Sequence, residues 1–242
     1  MLKNLYRFIR RMALREKSDS ATFVSYLKRN GVNIADTAWI VAPTKVTIDM
    51  TRPYLITIGA FTTITEGVTI LTHGFDWSVI KREKGLVLGS AGSVSIGDNV
   101  FIGVNSTILK GVTIGNNVIV AAGSLVTKDI PSNTVAMGRP CRPYMSLDEY
   151  TNRRIAKQID EASDVIASYY RRYGKYPPEE ELAEFCTLFA SRETIVSSDA
   201  FRAKAEYGLD EGDVWLPESY VPRFDSYKHL ADYVGERYGL HR

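Results

Sequence analysis

Residues 96–131, IGDNVFIGVNSTILKGVTIGNNVIVAAGSLVTKDIP, repeat every six positions. Ile96, Ile102, Ile108, Ile114, Val120 and Val126 fall six apart without a skip, and Gly97, Gly103, Gly115 and Ala121 follow four of them. Four residues beyond each aliphatic stands Val100, Ser106, Val112, Val118, Ser124 or Ile130. A helix repeats at 3.6 and a plain strand at 2, so a period of six points to a repeat architecture. A branched residue at every sixth position suits a very short strand with that side chain inside. A glycine or asparagine at each corner then tolerates the left-handed backbone of a tight turn. Stacked, such rungs form a prism with an aliphatic column inside each face. Each buried side chain contributes roughly 1.5–3 kcal/mol, so a column needs several rungs.

The same phase runs upstream through Ile34, Ile40, Val46, Ile58, Ile64 and Ile70. It fails at position 52, where Arg52-Pro53 replaces the aliphatic pair. Proline has no amide to give a ladder, which predicts a bulge or excursion there. Ile70 and Ile96 are 26 residues apart, four hexads plus two, so a loop must leave the prism within 74–95. That loop carries Phe75, Trp77, the charged run Lys81-Arg82-Glu83-Lys84, and Gly85, Gly89 and Gly92 for mobility. Loops projecting from rigid scaffolds are where sites are usually built.

These hexads resemble the hexapeptide-repeat acyltransferases over about residues 34–143. Further stretches resemble the subgroup acting on sugar hydroxyls, the galactoside and maltose acetyltransferase-like enzymes. They are Thr72-His73, Ile96-Gly97-Asp98-Asn99, the run from Ala121 to Pro131, and Gly138-Arg139-Pro140-Cys141-Arg142. The resemblance implies a mainly β fold, a left-handed parallel β-helix. That handedness comes from the resemblance alone, because parallel crossovers are generally right-handed.

Composition agrees with a soluble globular chain. It is 45% hydrophobic and 24% charged, and its net charge of +2 offers no field for nucleic acid. Two cysteines, Cys141 and Cys186, build neither a disulfide framework nor a metal site, which favours a cytoplasmic setting. No apolar run reaches the ~20 residues of a membrane span.

Three segments are expected: a helical cap over 1–31, the β-helix over 32–143, and a mostly helical appendage over 144–242. In the first, Leu2, Leu5, Tyr6, Ile9, Met12 and Ala13 share a face opposite Lys3, Arg7, Arg10, Arg11 and Arg15. A basic amphipathic helix could lie on an anionic membrane. The favoured reading is a cap over exposed strand edges, with no membrane surface as partner. In the third, Ser146 and Glu149 form a capping box before a helix over 147–173, with further helices at 179–191 and 227–237. Its aromatics, at helical spacing, read as core.

His73 is the one histidine within the repeat, where the hexads stop and the loop begins; His229 and His241 lie in the appendage. A lone corner histidine is ordinarily a structural one, but the resemblance implies the catalytic base at this place. An imidazole near its usual pKa can take the proton of a sugar hydroxyl as it attacks a thioester. An acceptor must hold the other ring nitrogen, either a backbone carbonyl or a carboxylate such as Asp49. No serine or cysteine pairs visibly with His73, so no acyl-enzyme is expected.

The resemblance further implies acetyl-CoA as donor. Backbone groups at Gly103, Val104, Ala121 and Ala122 would hold its pantetheine arm, with Thr127, Lys128 and Arg142 at the nucleotide end. The expected activity is acetyl transfer from acetyl-CoA to a hydroxyl of a saccharide, by a homotrimer with active sites shared between subunits. Acetylation of the amine of an amino sugar nucleotide, or an inactive hexapeptide scaffold, remain as alternatives. A metal hydratase on a similar prism needs three histidine ligands, and the repeat holds one, so no metal is expected.

Overall fold

The computed structural model describes residues 13–205 and 216–240. Most of the basic N-terminal face, along with Trp215 and His241, lies outside the described residues. The chain divides into two compact units, residues 1–150 and 151–242.

The first unit is a three-sided parallel β-helix. Its first turn holds β1 (Asn33–Ile34), β2 (Trp39–Ile40) and β3 (Thr47–Ile48); the second holds β4 (Ile56–Ile58), β5 (Thr63–Ile64) and β6 (Thr69–Ile70). The third holds β7 (Val94–Ile96), β8 (Val100–Ile102) and β9 (Thr107–Ile108); the fourth holds β10 (Thr113–Ile114), β11 (Val118–Val120) and β12 (Leu125–Val126). Each strand pairs with its counterpart one turn away, which makes three sheets. The inward columns follow from the register. They are Ile34-Ile58-Ile96-Ile114, Ile40-Ile64-Ile102-Val120 and Ile48-Ile70-Ile108-Val126. All twelve side chains are buried. An antiparallel hairpin, β13 (Thr134–Gly138) and β14 (Cys141–Ser146), joins the end of the second sheet.

The start of the helix is less regular than the shared hexad phase on either side of position 52 suggests. Ile48, not Val46, pairs with Ile70, although Val46 is also buried. From Ile34 to Ile58 is 24 residues, six more than the 18 from Ile96 to Ile114. Two 3-10 segments, Pro43–Lys45 and Pro53–Leu55, take up the difference: Ile40 to Ile48 is two residues over a hexad, Ile48 to Ile58 four over. Because two and four sum to six, the phase looks continuous across an irregular turn. The expected excursion at Arg52-Pro53 is the second of these segments.

The corner residues also divide their work differently from expectation. Left-handed backbone is carried by Asn99, Asn105, Asn117 and Asn133, and by glycines such as Gly111 and Gly123. Gly97, Gly103 and Gly115 are not left-handed; they lie where the next coil passes close. A Cβ on Gly103 would fall 2.4 Å from the Ala122 nitrogen. The asparagines add a ladder, with Asn99 donating to Asn117 at 2.9 Å and Asn117 to Asn133 at 3.0 Å.

Helix α1 (Ser20–Arg29) joins this core through Phe23, Val24 and Leu27. Asp19 caps it, accepting from the Thr22 N–H, and the Ser20 hydroxyl accepts from the Ile40 N–H at 2.8 Å. The 74–95 excursion is not wholly irregular, since it contains α2 (Trp77–Lys84), ended by Gly85 in the left-handed conformation. Gly92 packs on the Gly111 backbone, so this glycine also has a geometric role.

The second unit has its own core of Ile166, Leu182, Cys186, Phe189, Ile195, Phe201, Phe224, Leu230 and Val234. Helix α3 (Leu147–Tyr173) begins where the Glu149 N–H donates to the Ser146 hydroxyl and runs into this unit. The segment read as helix over 179–191 is a 3-10 stretch, Glu179–Leu188, interrupted at Leu182 by non-helical backbone. Two short helices follow, α4 (Arg192–Ser197) and α5 (Asp199–Ala205), and then α6 (Tyr227–Tyr238). Tyr227 donates to the Pro177 carbonyl at 2.5 Å, and burial pushes its phenol up to about 12.

Because one aliphatic per rung fills each column, Ile102→Ala should cost about 2–5 kcal/mol. Thr113→Ala on the exposed side should stay within about 0.5 kcal/mol. Urea unfolding of both variants checks the contrast.

Candidate active site

The corner following β3 and β6 brings together Asp49, Thr51, Thr72 and His73. Asp49 follows β3, and Thr72-His73 follow β6 one turn on; since β3 pairs with β6, the two meet. Asp49 is buried at 7% exposure, and five donors converge on it. Its Oδ1 accepts from the Thr51 N–H at 3.0 Å and the Thr51 hydroxyl at 2.6 Å. Its Oδ2 accepts from the Thr72 N–H at 3.0 Å and the Thr72 hydroxyl at 2.5 Å, and lies 2.5 Å from His73 Nδ1. Burial alone would raise the Asp49 carboxyl, but the bonds from Thr51, Thr72 and His73 outweigh it and hold the group well below its ordinary range.

An ionised Asp49 can only accept, so His73 Nδ1 is the donor and carries a hydrogen. In the neutral ring this leaves Nε2 as the nitrogen without one. The Thr51 hydroxyl oxygen, 3.3 Å from Nδ1, gives its own hydrogen to Asp49 and is no candidate nucleophile.

Beside the imidazole lies a pocket of about 280 Å³, lined by Thr51, Arg52, His73, Gly74, Phe75, Trp77, Gly89 and Ser90. The loop returns to the corner it left: the Gly74 N–H donates to Ser90 O, and the Gly92 N–H to Thr72 O, both at 2.9 Å. Phe75 stands edge-on to His73 with centroids 5.7 Å apart, and Trp77 packs on Phe75 at 5.5 Å. Thr51, Arg52 and Ser90 carry no site motif in the sequence, and Trp77 is marked only as part of the projecting loop. Their one signal is the broken phase at Arg52-Pro53 and the slip after Ile70.

The residues read as donor-binding do not join His73 within the unit. Gly103-Val104 and Ala121-Ala122 follow β8 and β11, at the edge between the second and third sheets. His73 follows β6, at the edge between the third and first. The ladder already uses much of the first group: Gly103 N–H donates to Val120 O, Gly123 N–H to Val104 O, and Ala121 N–H to Ala136 O. The Ala121 carbonyl accepts from the Ser106 and Ser124 hydroxyls. Ala122 is exposed, and among the described residues nothing bonds its N–H or carbonyl. Thr127 and Lys128 follow β12 on the same edge as His73, two turns further along. Arg142, in the terminal hairpin, is exposed and donates to the Cys141 carbonyl at 2.7 Å. Cys141 and Cys186 are both buried and free. No group of three or more His, Cys, Asp or Glu among the described residues could hold a metal, and no described helix is long and apolar enough to cross a membrane.

Fold and corner together define a left-handed parallel β-helix of hexapeptide repeats bearing a His–Asp pair whose carboxylate is buried. The profile described as the hexapeptide repeat of succinyl-transferase matches residues 93–128. Protein CapG of Staphylococcus aureus is 43% identical over 141 residues, 54% of this chain and 80% of CapG. The chain belongs to the hexapeptide-repeat acyltransferases. Galactoside O-acetyltransferase of Escherichia coli K12 is 34% identical over 96 residues, 40% of this chain and 46% of that protein, so less than half of it is spanned. Among solved structures, a maltose O-acetyltransferase from Clostridium difficile 630 is 28% identical over 52% of this chain and 74% of its own, with a TM-score of 0.37. A galactoside acetyltransferase in complex with coenzyme A is 27% identical over 52% and 70%, with a TM-score of 0.39.

Asp49 also ties stability to pH. Its folded value lies below its ordinary value of 3.8, so its contribution is present above that value and lost as pH falls toward the folded one. Asp49→Asn should therefore be less stable than the parent at neutral pH, and the gap should begin to narrow below about pH 4 and keep shrinking as pH falls. Denaturant midpoints across that range are the measurement, and a gap constant to about pH 3 contradicts the assignment.

Proposed function

We propose that the protein transfers an acetyl group from acetyl-CoA to a hydroxyl of a saccharide, with His73 as general base. The observation that carries this is the Asp49–His73 contact, which leaves Nε2 basic beside an aromatic-walled pocket. Nε2 takes the acceptor hydroxyl's proton as the oxygen attacks the thioester carbonyl. The tetrahedral intermediate collapses, the C–S bond breaks, and the thiolate of CoA leaves with the proton returned by the imidazolium. Asp49 stays ionised throughout and stabilises the transient cation. No acyl-enzyme forms. The free N–H of Ala122 is the backbone donor best suited to the arm or to the oxyanion. Kinship to galactoside O-acetyltransferase favours a hydroxyl over an amine, and Thr127, Lys128 and Arg142 supply donors for the nucleotide end of CoA.

The acting unit in this reading is a homotrimer. His73 and the Ala121-Ala122 corner occupy different edges of one prism, so one subunit's base would serve a thioester held against its neighbour. The outward face of the second sheet supports such packing. Trp39 and Phe101 are large, apolar and 50% and 43% exposed, and Ile119 continues their column.

His73→Ala should lower acetyl transfer about 10²–10⁴-fold while acetyl-CoA binding persists. CoA release against a saccharide and amino-sugar panel, with product masses, reads both the rate and the atom acylated; wild-type turnover in the variant would refute the base. Mixing His73→Ala subunits with Ala122→Trp subunits should restore part of the activity. Inactive mixtures despite subunit exchange, or a monomer by light scattering, would refute the shared site.

A further inference from the structure

Arg52 stands in the wall of the His73 pocket, yet its guanidinium has no hydrogen bond or ion pair among the described residues. The nearest acid in sequence, Asp49, cannot serve it, because both its oxygens are taken by Thr51, Thr72 and His73. No carboxylate lines the pocket. Asp76 packs against the backbone of Gly74, outside the lining. The position is anchored on both sides. Thr51 before it donates twice to Asp49, and Pro53 after it opens the 3-10 segment whose Leu55 N–H donates to the Arg52 carbonyl. An unpaired guanidinium in the wall of a pocket also lined by His73, Phe75 and Trp77 is half of a recognition site. Its planar fork matches the oxygens of a carboxylate or phosphate, which it binds bidentately.

We infer that Arg52 selects an acidic acceptor, a saccharide bearing a carboxylate or phosphate close to the hydroxyl that His73 deprotonates; this rests on the acetyltransferase reading above. The ring packs on Phe75 and Trp77, the anion lies on Arg52, and the reacting hydroxyl faces Nε2. The same charge keeps a cationic amino sugar out.

The test uses three acceptors with the full-length protein and acetyl-CoA: methyl glucuronide, glucose 1-phosphate and methyl glucoside. The wild type should favour one or both anionic acceptors over the glucoside by about 10–100-fold in kcat/KM. The first two arms separate carboxylate from phosphate recognition. Arg52→Gln should collapse that ratio, mainly through KM for the anionic acceptor, and Arg52→Lys should keep part of it. A loss of fold would lower all three rates together and leave the ratio alone, and melting curves report it directly. Equal use of the three acceptors by the wild type overturns the inference alone, as does an Arg52→Gln variant with an unchanged ratio. Release of CoA with none of them, but with an amino sugar, overturns hydroxyl acylation and this inference with it.

Discussion

Successive coils lie one strand spacing apart, about 4.8 Å, and nearly every feature of the first unit follows from that closeness. A residue's neighbour is its counterpart one turn away, so chemistry is repeated or matched along columns. Isoleucine therefore stacks on isoleucine and asparagine on asparagine. Gly103 shows the same constraint negatively, since the Ala122 nitrogen already occupies the space of its missing Cβ. The outward face pays no such toll, which is why Trp39 and Phe101 can be large there.

The site arises where this regularity is broken. The added residues of the first turn place Thr51 and Arg52 at the corner beyond β3, and the 74–95 excursion leaves and rejoins at the corner beyond β6. Because β3 and β6 are neighbours, both irregularities open on one spot. The pocket is made of nothing else: its lining comes from residues 51–52, 73–77 and 89–90. Regular rungs supply the rigid pair of Asp49 and His73, and irregular segments supply the walls.

This division explains what could be read in advance. The prism, its columns and the break at His73 are legible because hexad periodicity is a property of single positions. The Asp49 contact is legible only as one of two acceptors, since pairing depends on register and the register of β3 is masked: Val46 keeps the phase while Ile48 makes the pairs. The helix inside the excursion and the role of Arg52 are not periodic at all. Corner glycines mislead for a related reason. Both left-handed backbone and close approach call for glycine, and only the position of the neighbouring coil tells Gly111 from Gly103.

Holding Asp49 ionised in a buried corner is unfavourable by itself, and the threonines decide how it is managed. A carboxylate met only by His73 would have one donor to set against the cost of burial. With Thr51 and Thr72 donating four bonds, the negative charge is stable whether or not the ring is charged. Those donors sit on β-helix corners rather than in the excursion, so the wall bearing Phe75 and Trp77 can vary while the Asp49–His73 pair keeps its geometry.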